Sequence, residues 1–233
     1  MRAPLILSLM LMLSACANPM ALRGGSEADQ RVAMFDGVVF SREYNRAKAQ
    51  HLAKWARPVR IELKGKDAPR YRAAVAAHAK TLMPLTGLDI ALAGPNERPN
   101  VTIFFAGLDE MEELAGPRIK NKGEVTDILL TSGCLFFFEK DARHRIRQAT
   151  IFVRTGRTAN DINACLLEEM VQILGLPNDS DLMRPSIFNA GDALGRLTPL
   201  DEALIRALYH PSIPVGAPRQ QALEQARFLL RER

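Results

Sequence analysis

The sequence lacks the features that would assign it to several common functional classes. Beyond residue 16 no apolar run approaches the roughly 18 residues that a membrane-spanning helix needs. There is no glycine-rich phosphate loop, no Gly-x-Ser-x-Gly motif and no Cys-x-x-Cys pair, so nothing indicates a nucleotide-binding, serine-hydrolase or thiol-redox protein. Aromatic residues make up only 6% of the chain and form no stripe with basic residues, which argues against binding of single-stranded nucleic acid.

The charge is too small and too evenly spread to indicate binding of duplex nucleic acid. The 233 residues include 31 Lys and Arg against 26 Asp and Glu, which gives a formal net charge of +5. Because these charges are distributed along the chain, they imply only a mild preference for anionic surfaces. The hydrophobic content of 47% is that of a globular protein with a real core.

The first sixteen residues have the layout of a bacterial secretory signal peptide. Arg2 supplies a positive charge, residues 5–13 are apolar apart from one serine, and Leu13-Ser14-Ala15-Cys16 follows. This ending resembles the lipobox of bacterial lipoproteins, in which the cysteine thiol receives diacylglycerol and becomes the new N-terminus. The resemblance implies a signal peptide over residues 1–15 and lipidation at Cys16. A simple signal peptide with an incidental cysteine is the alternative.

The residues after the cysteine predict the location of the protein. Ala17 follows Cys16, and no aspartate is there to retain a lipoprotein at the inner membrane. We therefore expect an outer-membrane lipoprotein that faces the periplasm and is held by its N-terminal lipid. Residues 17–33 have no apolar periodicity, so residues 16–35 are interpreted as a flexible tether.

Cysteine is scarce, and the last two cysteines predict a disulfide bond. Only Cys134 and Cys165 remain after Cys16, and an even pair in an exported protein is more often oxidised than free. Their separation of 31 positions does not suit a zinc finger, which requires cysteines two to four residues apart.

Helix and strand patterns alternate through the rest of the chain. Helices are predicted over residues 43–54, 70–82, 108–114, 158–174, 199–209 and 219–230. Strands are predicted over residues 58–63, 88–92, 101–105, 134–139 and 149–154. No repeat or internal linker interrupts this order. The interpretation is a single α+β domain over residues 36–215, followed by a C-terminal helix within residues 216–233.

The helix predicted over residues 158–174 carries most of the functional information. Its polar side chains fall within a sector of roughly 80°; they are Asp161, Glu168, Glu169 and Gln172. Apolar residues occupy most of the remaining surface, so the helix is expected to be largely buried. Gly175 stands where a left-handed residue would end the helix, and Pro177 prevents its continuation.

This segment resembles the signature of the metzincin zinc proteases. Glu168-Glu169-x-x-Gln172-x-x-Gly175-x-x-Asn178 lies in register with His-Glu-x-x-His-x-x-Gly-x-x-His/Asp. Strands precede the helix, Met183 lies where the Met-turn of those enzymes would follow, and residues 197–209 resemble their closing helix. The pattern EExxQxLGLxND also resembles a group of proteobacterial lipoproteins of unknown function. The resemblances imply a zincin-like (metzincin-like) domain: a mixed β-sheet, a long buried signature helix and C-terminal helices.

The departures from that signature concern the metal. The zinc-binding positions carry Glu168, Gln172 and Asn178, and only Glu169 keeps the residue of the general base. Amide oxygens are weak zinc ligands, so no zinc or other cofactor is expected, although a hard cation could bind loosely. The histidines show no ligand spacing and are interpreted as surface or locally bonded residues; they are His51, His78, His144 and His210.

Three functions stay open from these residues. The polar sector can be the solvated surface of a structural envelope module. It can be a degenerate cleft that still binds a peptide or an envelope protein. It can also be the site of an active metallopeptidase with unusual ligands and Glu169 as general base. The favoured interpretation is a lipid-anchored, non-catalytic domain with a binding or structural role and no nucleic-acid partner.

Overall fold

The computed structural model describes residues 26–41, 48–119, 133–189 and 191–231. Over these ranges the α-helices are α1 Glu27–Phe40, α2 Ala68–Thr86, α3 Leu108–Ala115, α4 Ala159–Gln172, α5 Pro199–Tyr209 and α6 Arg219–Leu229. The strands are β1 Val59–Lys64, β2 Ile90–Leu92, β3 Val101–Ala106, β4 Cys134–Lys140 and β5 Ile146–Arg154. No helix in the described ranges combines the length and the apolar character needed to cross a membrane.

The five strands form one mixed sheet in the order β2-β1-β3-β5-β4. The first four strands in this order are parallel, and β4 runs antiparallel beside β5. Alternating apolar residues in β3 and β5 bury one face of the sheet under α2 and α4 in the main core. On the other face, Met111 of α3 packs against Phe152 in a smaller cluster. The predicted α+β class and the mixed sheet are confirmed.

Two predicted elements are wrong where the structure describes them. The helix predicted over residues 43–54 is absent from residues 48–54. That segment is held by distant backbone instead: Leu52 N donates to Ala217 O (3.1 Å), and Ile146 N donates to Lys54 O (3.1 Å). Such pairing leaves no local sequence pattern. Residues 42–47 lie outside the described ranges.

The tether predicted over residues 16–35 is also wrong in its described part, because α1 begins at Glu27. Ser26 and Asp29 form a capping box at its start. The first turn is polar, and the buried positions begin only at Val32, so the exposed half of an amphipathic helix resembled a linker. The folded unit therefore begins before residue 36. Residues 1–25, which include the predicted signal peptide and Cys16, lie outside the described ranges.

Helix α1 is joined to α6, so the C-terminal helix is part of the same packed unit. Asp36, which is buried, accepts hydrogen bonds from Arg219 Nε (2.6 Å) and Nη2 (2.7 Å), and also from Lys48. Burial acts to raise the pKa of Asp36, but the bonds from Arg219 and Lys48 outweigh it and hold the pKa below its ordinary value. The charged pair therefore fixes α1 against the start of α6.

Lys54 is a buried cation that has no carboxylate partner among the described residues. Its Nζ donates to the carbonyl oxygens of Leu208 (2.7 Å) and Ile213 (2.5 Å) and lies 5.3 Å from the ring centroid of Tyr209. It therefore satisfies carbonyl groups at and beyond the end of α5. Burial lowers the pKa of Lys54 from 10.5 to about 8.

This pKa predicts a pH-dependent stability. Between about pH 8 and 10.5 the folded chain binds fewer protons at Lys54 than the unfolded chain, so the free energy of unfolding should rise with pH. The variant Lys54→Met keeps most of the side-chain volume and loses the titration. In urea denaturation the stability of the wild type relative to Lys54→Met should increase from pH 8 to pH 10. If the stability difference between the wild type and Lys54→Met stays constant over this pH range, the pKa of Lys54 is the same in the folded and the unfolded chain, and the prediction is wrong.

Candidate functional site

The signature helix α4 follows β5 and is buried more deeply than its polar sector suggests. Thr158 caps its start, with the side-chain oxygen accepting from Asp161 N (3.2 Å). Glu169 is 6% exposed and Gln172 is 5% exposed, while Glu168 is half-buried. The interpretation of this sector as a solvated surface is therefore wrong for Glu169 and Gln172.

The loop after the helix folds back over Gln172. The side-chain Nε2 of Gln172 donates a hydrogen bond to Oδ1 of Asp179 in this loop, at 2.8 Å. Asp179 is itself exposed, so the amide lies under a carboxylate at the protein surface. This hydrogen bond engages the amide nitrogen of Gln172 within the protein and fixes the orientation of the carboxamide.

Asn178, at the third ligand position, is bound to α1. Its backbone N (3.2 Å) and its side-chain Nδ2 (3.1 Å) both donate to the carbonyl oxygen of Val38. The side chain is 4% exposed. A Cβ atom at Gly37 would lie 3.3 Å from Oγ of Ser180, so α1 touches this loop closely. Helix α1 thus lies directly against Asn178 and the loop that follows it.

The hydrogen bonds of Gln172 and Asn178 show how these two predicted site residues are oriented. The side-chain amide of Gln172 donates to Asp179, whereas that of Asn178 donates to Val38, so the two amides are directed to different acceptors. Within the described ranges, His, Cys, Asp and Glu form no group of three or more that could hold a metal ion.

Helix α4 ends at Gln172, with Ile173 as its C-cap, so Gly175 lies in the turn that follows and is not the residue that terminates the helix. Its φ is 114°, a positive value that favours glycine, and a Cβ atom there would lie 2.1 Å from the carbonyl oxygen of Ala53. Two carbonyl groups of this turn accept hydrogen bonds from distant side chains: Trp55 Nε1 donates to Ile173 O (2.8 Å) and Tyr209 OH donates to Leu174 O (2.8 Å). The segment that contains Ala53 and Trp55 and the end of α5 therefore hold this turn in place.

A small cleft lies beside this turn. It has a volume of about 180 Å³. Its described lining residues are Val39, Ser41, Ala49, His51, Ala53, Phe138, Lys140, Gly175 and Pro177. Glu168, Glu169, Gln172 and Asn178 are not among them. The cleft therefore adjoins the turn after the signature helix without opening onto these four residues.

Met183, the candidate for a Met-turn, is half-buried and packs against the main core. Its loop is held by polar pairs on both sides. Asn189 Nδ2 donates to Asp181 Oδ1 (2.9 Å), and Arg184 contacts Asp192 through two nitrogen atoms (2.5 and 3.2 Å). On these contacts Met183 has a packing role at the border of the core.

Asp201 is a residue of this region that the sequence analysis missed. It is 0% exposed and accepts from Thr198 N (2.8 Å), Thr198 Oγ1 (2.8 Å) and Ser186 Oγ (2.7 Å). The pattern Thr-x-x-Asp before an apolar run signals a helix cap, which α5 has. The bond donated by Ser186 ties α5 to the loop after the signature helix, and no local sequence pattern predicts it.

Asp201→Ala should lower the free energy of unfolding by about 2–3 kcal/mol, because it leaves several buried donors without an acceptor. Glu202→Ala is the matched control. Glu202 is the next residue on α5, and its carboxylate makes only a surface ion pair with Arg206 at 3.5 Å. Its removal should cost less than about 1 kcal/mol. Equal losses in urea denaturation would argue against a special role for Asp201.

The predicted disulfide between Cys134 and Cys165 is present. Cys134 begins β4 and Cys165 lies in α4, with the Cα atoms 6.0 Å apart. Both residues are buried. The bond fixes the signature helix to the antiparallel strand at the edge of the sheet.

The histidines have local partners or lie at the surface. His78 is buried, its Nε2 lies 3.0 Å from Oδ1 of Asn163, and burial lowers its pKa although that contact acts to raise it. The rings of His51 and His144 stack with centroids 4.8 Å apart. His210 is exposed. Their positions give no reason to add a histidine to the candidate site.

Comparisons with known proteins identify a family but no characterised relative. Residues 28–227 match a family model described as a protein of unknown function, DUF2927. No curated protein and no solved structure matches the chain. The matched range begins inside α1 and ends inside α6, so both helices belong to the unit that the family model defines.

Proposed function

The chain belongs to the DUF2927 family of unknown function, and from that premise we propose that it is a non-catalytic, lipid-anchored domain of the bacterial envelope. Its role is binding or structural, with an envelope protein or peptide as the partner class. One observation carries the proposal: Gln172 and Asn178, two of the three degenerate ligand positions, are buried and hydrogen-bonded within the protein.

Three structural features support a zincin-like origin of this domain. A mixed sheet precedes the signature helix in the chain. Gly175, with its positive φ, occupies the position of the signature glycine. Helix α5 follows the loop that contains Met183, as the closing helix of a metzincin would. The zincin-like assignment and the Met-turn role of Met183 are parts of this proposal.

The chemistry of the buried groups favours a non-catalytic role. A catalytic zinc site keeps one open coordination position for water or substrate and binds the metal through imidazole, thiolate or carboxylate groups. At this site the residues at two ligand positions and at the base position, Gln172, Asn178 and Glu169, are each no more than 6% exposed. The amide oxygens are neutral, and the amide nitrogens already donate to Asp179 and Val38. A water-activating metal would find weak ligands and little access for a substrate.

The competing function is a metallopeptidase in which Glu169 acts as general base. Peptidase activity of the purified wild type should therefore be compared with that of Glu169→Gln, which keeps the side-chain size and removes the base. We expect no difference between the two on a mixed peptide library, with or without added divalent cations. Hydrolysis by the wild type that disappears in Glu169→Gln would overturn the non-catalytic proposal.

The lipid anchor is a separate part of the proposal, since Cys16 lies outside the described residues. Growth with a labelled fatty acid should mark the wild type and leave Cys16→Ala unlabelled. Cys134→Ala is the control, because it removes a different cysteine and should keep the label. Equal labelling of the wild type and Cys16→Ala would refute lipidation at Cys16, and so would the absence of label from both.

A further inference from the structure

We propose that the end of the domain formed by the start of α1 and the end of α6 is a membrane-contact surface, which docks on anionic phospholipid headgroups with Phe228 at the interface. We call it the α1/α6 end and define it by Glu27, Arg31, Arg227, Phe228 and Arg231. The inference rests on the proposed lipid anchor at Cys16, and its test separates the two.

Electrostatic and hydrogen-bond contacts show that α1 and α6 run antiparallel. Asp36, late in α1, binds Arg219 at the start of α6. The pKa of Asp29, in the first turn of α1, lies below its ordinary value. Hydrogen bonds from Ser26 are the main cause, and the positive charges of Arg231 and Arg227 contribute less. The start of α1 and the end of α6 therefore share one end of the domain.

This end presents an exposed aromatic ring between basic side chains. Phe228 is 73% exposed, and among the described residues only Leu182 is also reported as a large exposed hydrophobic side chain. Arg227 and Arg231 flank Phe228 and are exposed. An aromatic ring at headgroup depth beside arginines is the combination by which peripheral proteins contact anionic membranes.

The acidic groups of this end are engaged with other residues. Glu27 pairs with Arg31 at 2.6 Å, and the carboxylate of Asp29 caps α1 by accepting from Ser26. Within the described ranges no carboxylate lies within ion-pair distance of Arg227 or Arg231. The two guanidinium groups can therefore bind lipid phosphates without first breaking an ion pair within the protein.

A groove next to this surface is lined by apolar and basic side chains. It has a volume of about 290 Å³. Its described lining residues are Arg31, Ala203, Arg206, Ala207, His210, Leu229 and Leu230. The groove extends the same chemical character from α6 toward α5, so the basic and apolar surface is larger than α6 alone.

The covalent structure limits how far this end can lie from the lipid. Nine residues lie between Cys16 and Ser26, and the ten residue-to-residue steps span at most about 35 Å. The chain enters the described domain at the start of α1, so the α1/α6 end is the part attached closest to the bilayer. The opposite end of α1, where Gly37 contacts Ser180, lies about 15 Å further along the helix.

The test uses the lipidated full chain in vesicles of phosphatidylethanolamine and phosphatidylglycerol with brominated acyl chains, which quench tryptophan at membrane depth. Phe228→Trp reports the proposed surface. Leu182→Trp is the matched control, because Leu182 is also exposed, at 59%. It lies two residues after Ser180, which is close to Gly37 near the other end of α1. The native Trp55, 1% exposed, gives the same background in both variants. We expect loss of emission from position 228, little loss from position 182, and recovery at 228 when Arg227→Gln and Arg231→Gln are added.

Flotation of the same vesicles separates the two proposals. Wild type that fails to float with vesicles refutes the lipid anchor, and the surface proposal fails with it. Chains that float but show equal quenching at positions 228 and 182, or none at either, refute only the membrane-contact surface. Quenching at 228 that is insensitive to the two arginine substitutions overturns the role of anionic headgroups.

Discussion

Gly175→Ala is expected to lower the free energy of unfolding by at least about 3 kcal/mol or to prevent stable folding. Two costs act together at this position. The residue has φ 114°, which L-amino acids with a Cβ atom rarely adopt, and the added Cβ would lie 2.1 Å from the carbonyl oxygen of Ala53. Since the clashing atom belongs to the backbone, no side-chain rotation relieves it, and the turn after the signature helix must move.

Gly156→Ala separates these two costs. Gly156 also has a positive φ, of 81°, but a Cβ atom there meets nothing within 4 Å. Only the conformational cost applies, and the loss should be roughly 1–2 kcal/mol. Urea denaturation of both variants, with circular dichroism as the readout, measures the difference. Losses of equal size would mean that the contact between Gly175 and Ala53 contributes nothing.

Removal of the Cys134–Cys165 disulfide is expected to cost about 3–4 kcal/mol by the chain-entropy estimate for a loop of this length. The bond closes 31 positions of sequence and joins α4 to β4. The double variant Cys134→Ala, Cys165→Ala should therefore unfold at a lower urea concentration than the oxidised wild type. Single variants leave one buried thiol and serve as controls for packing.

Reduction provides a second control for the disulfide. In the presence of a reductant the wild type should lose most of its advantage over the double variant, because the two chains then differ only in two buried side chains. Native protein that offers two thiols to an alkylating agent before any reduction would contradict the bond. A double variant as stable as the oxidised wild type would contradict its proposed contribution.

The sequence was sufficient for the elements that have local patterns. The alternation of apolar residues in β1, β3 and β5 and the Ala-rich run of α2 locate these elements to within a few residues. It was insufficient where distant backbone supplies the partners, as at Leu52 and Lys54. It also failed at α1, where the polar first turn hid a helix whose apolar half begins at Val32.

The candidate site shows the same division. The sequence located Glu168, Glu169, Gln172 and Gly175 on one helix and its terminating turn, since these positions are set by local periodicity. It could not show that Asn178 donates to Val38, a partner 140 positions away. Nor could it show that Asp201 bonds Ser186 across the loop. Both contacts depend on how α1 and α5 pack, and packing also determines that Glu169 and Gln172 are buried rather than solvated.

The zinc stoichiometry of the purified protein tests the proposed function at its chemical basis. Wild type prepared without chelators should contain no stoichiometric zinc, because the positions that the proposal equates with zinc ligands carry Glu168, Gln172 and Asn178. The triple variant Glu168→His, Gln172→His, Asn178→His should gain zinc, since three imidazoles and a water complete a tetrahedral site. Activity need not follow, because groups that orient the imidazoles would be absent. A folded triple variant that binds zinc no better than the wild type would refute the zincin-like geometry. Stoichiometric zinc in the wild type, together with hydrolysis that requires Glu169, would contradict the non-catalytic function itself.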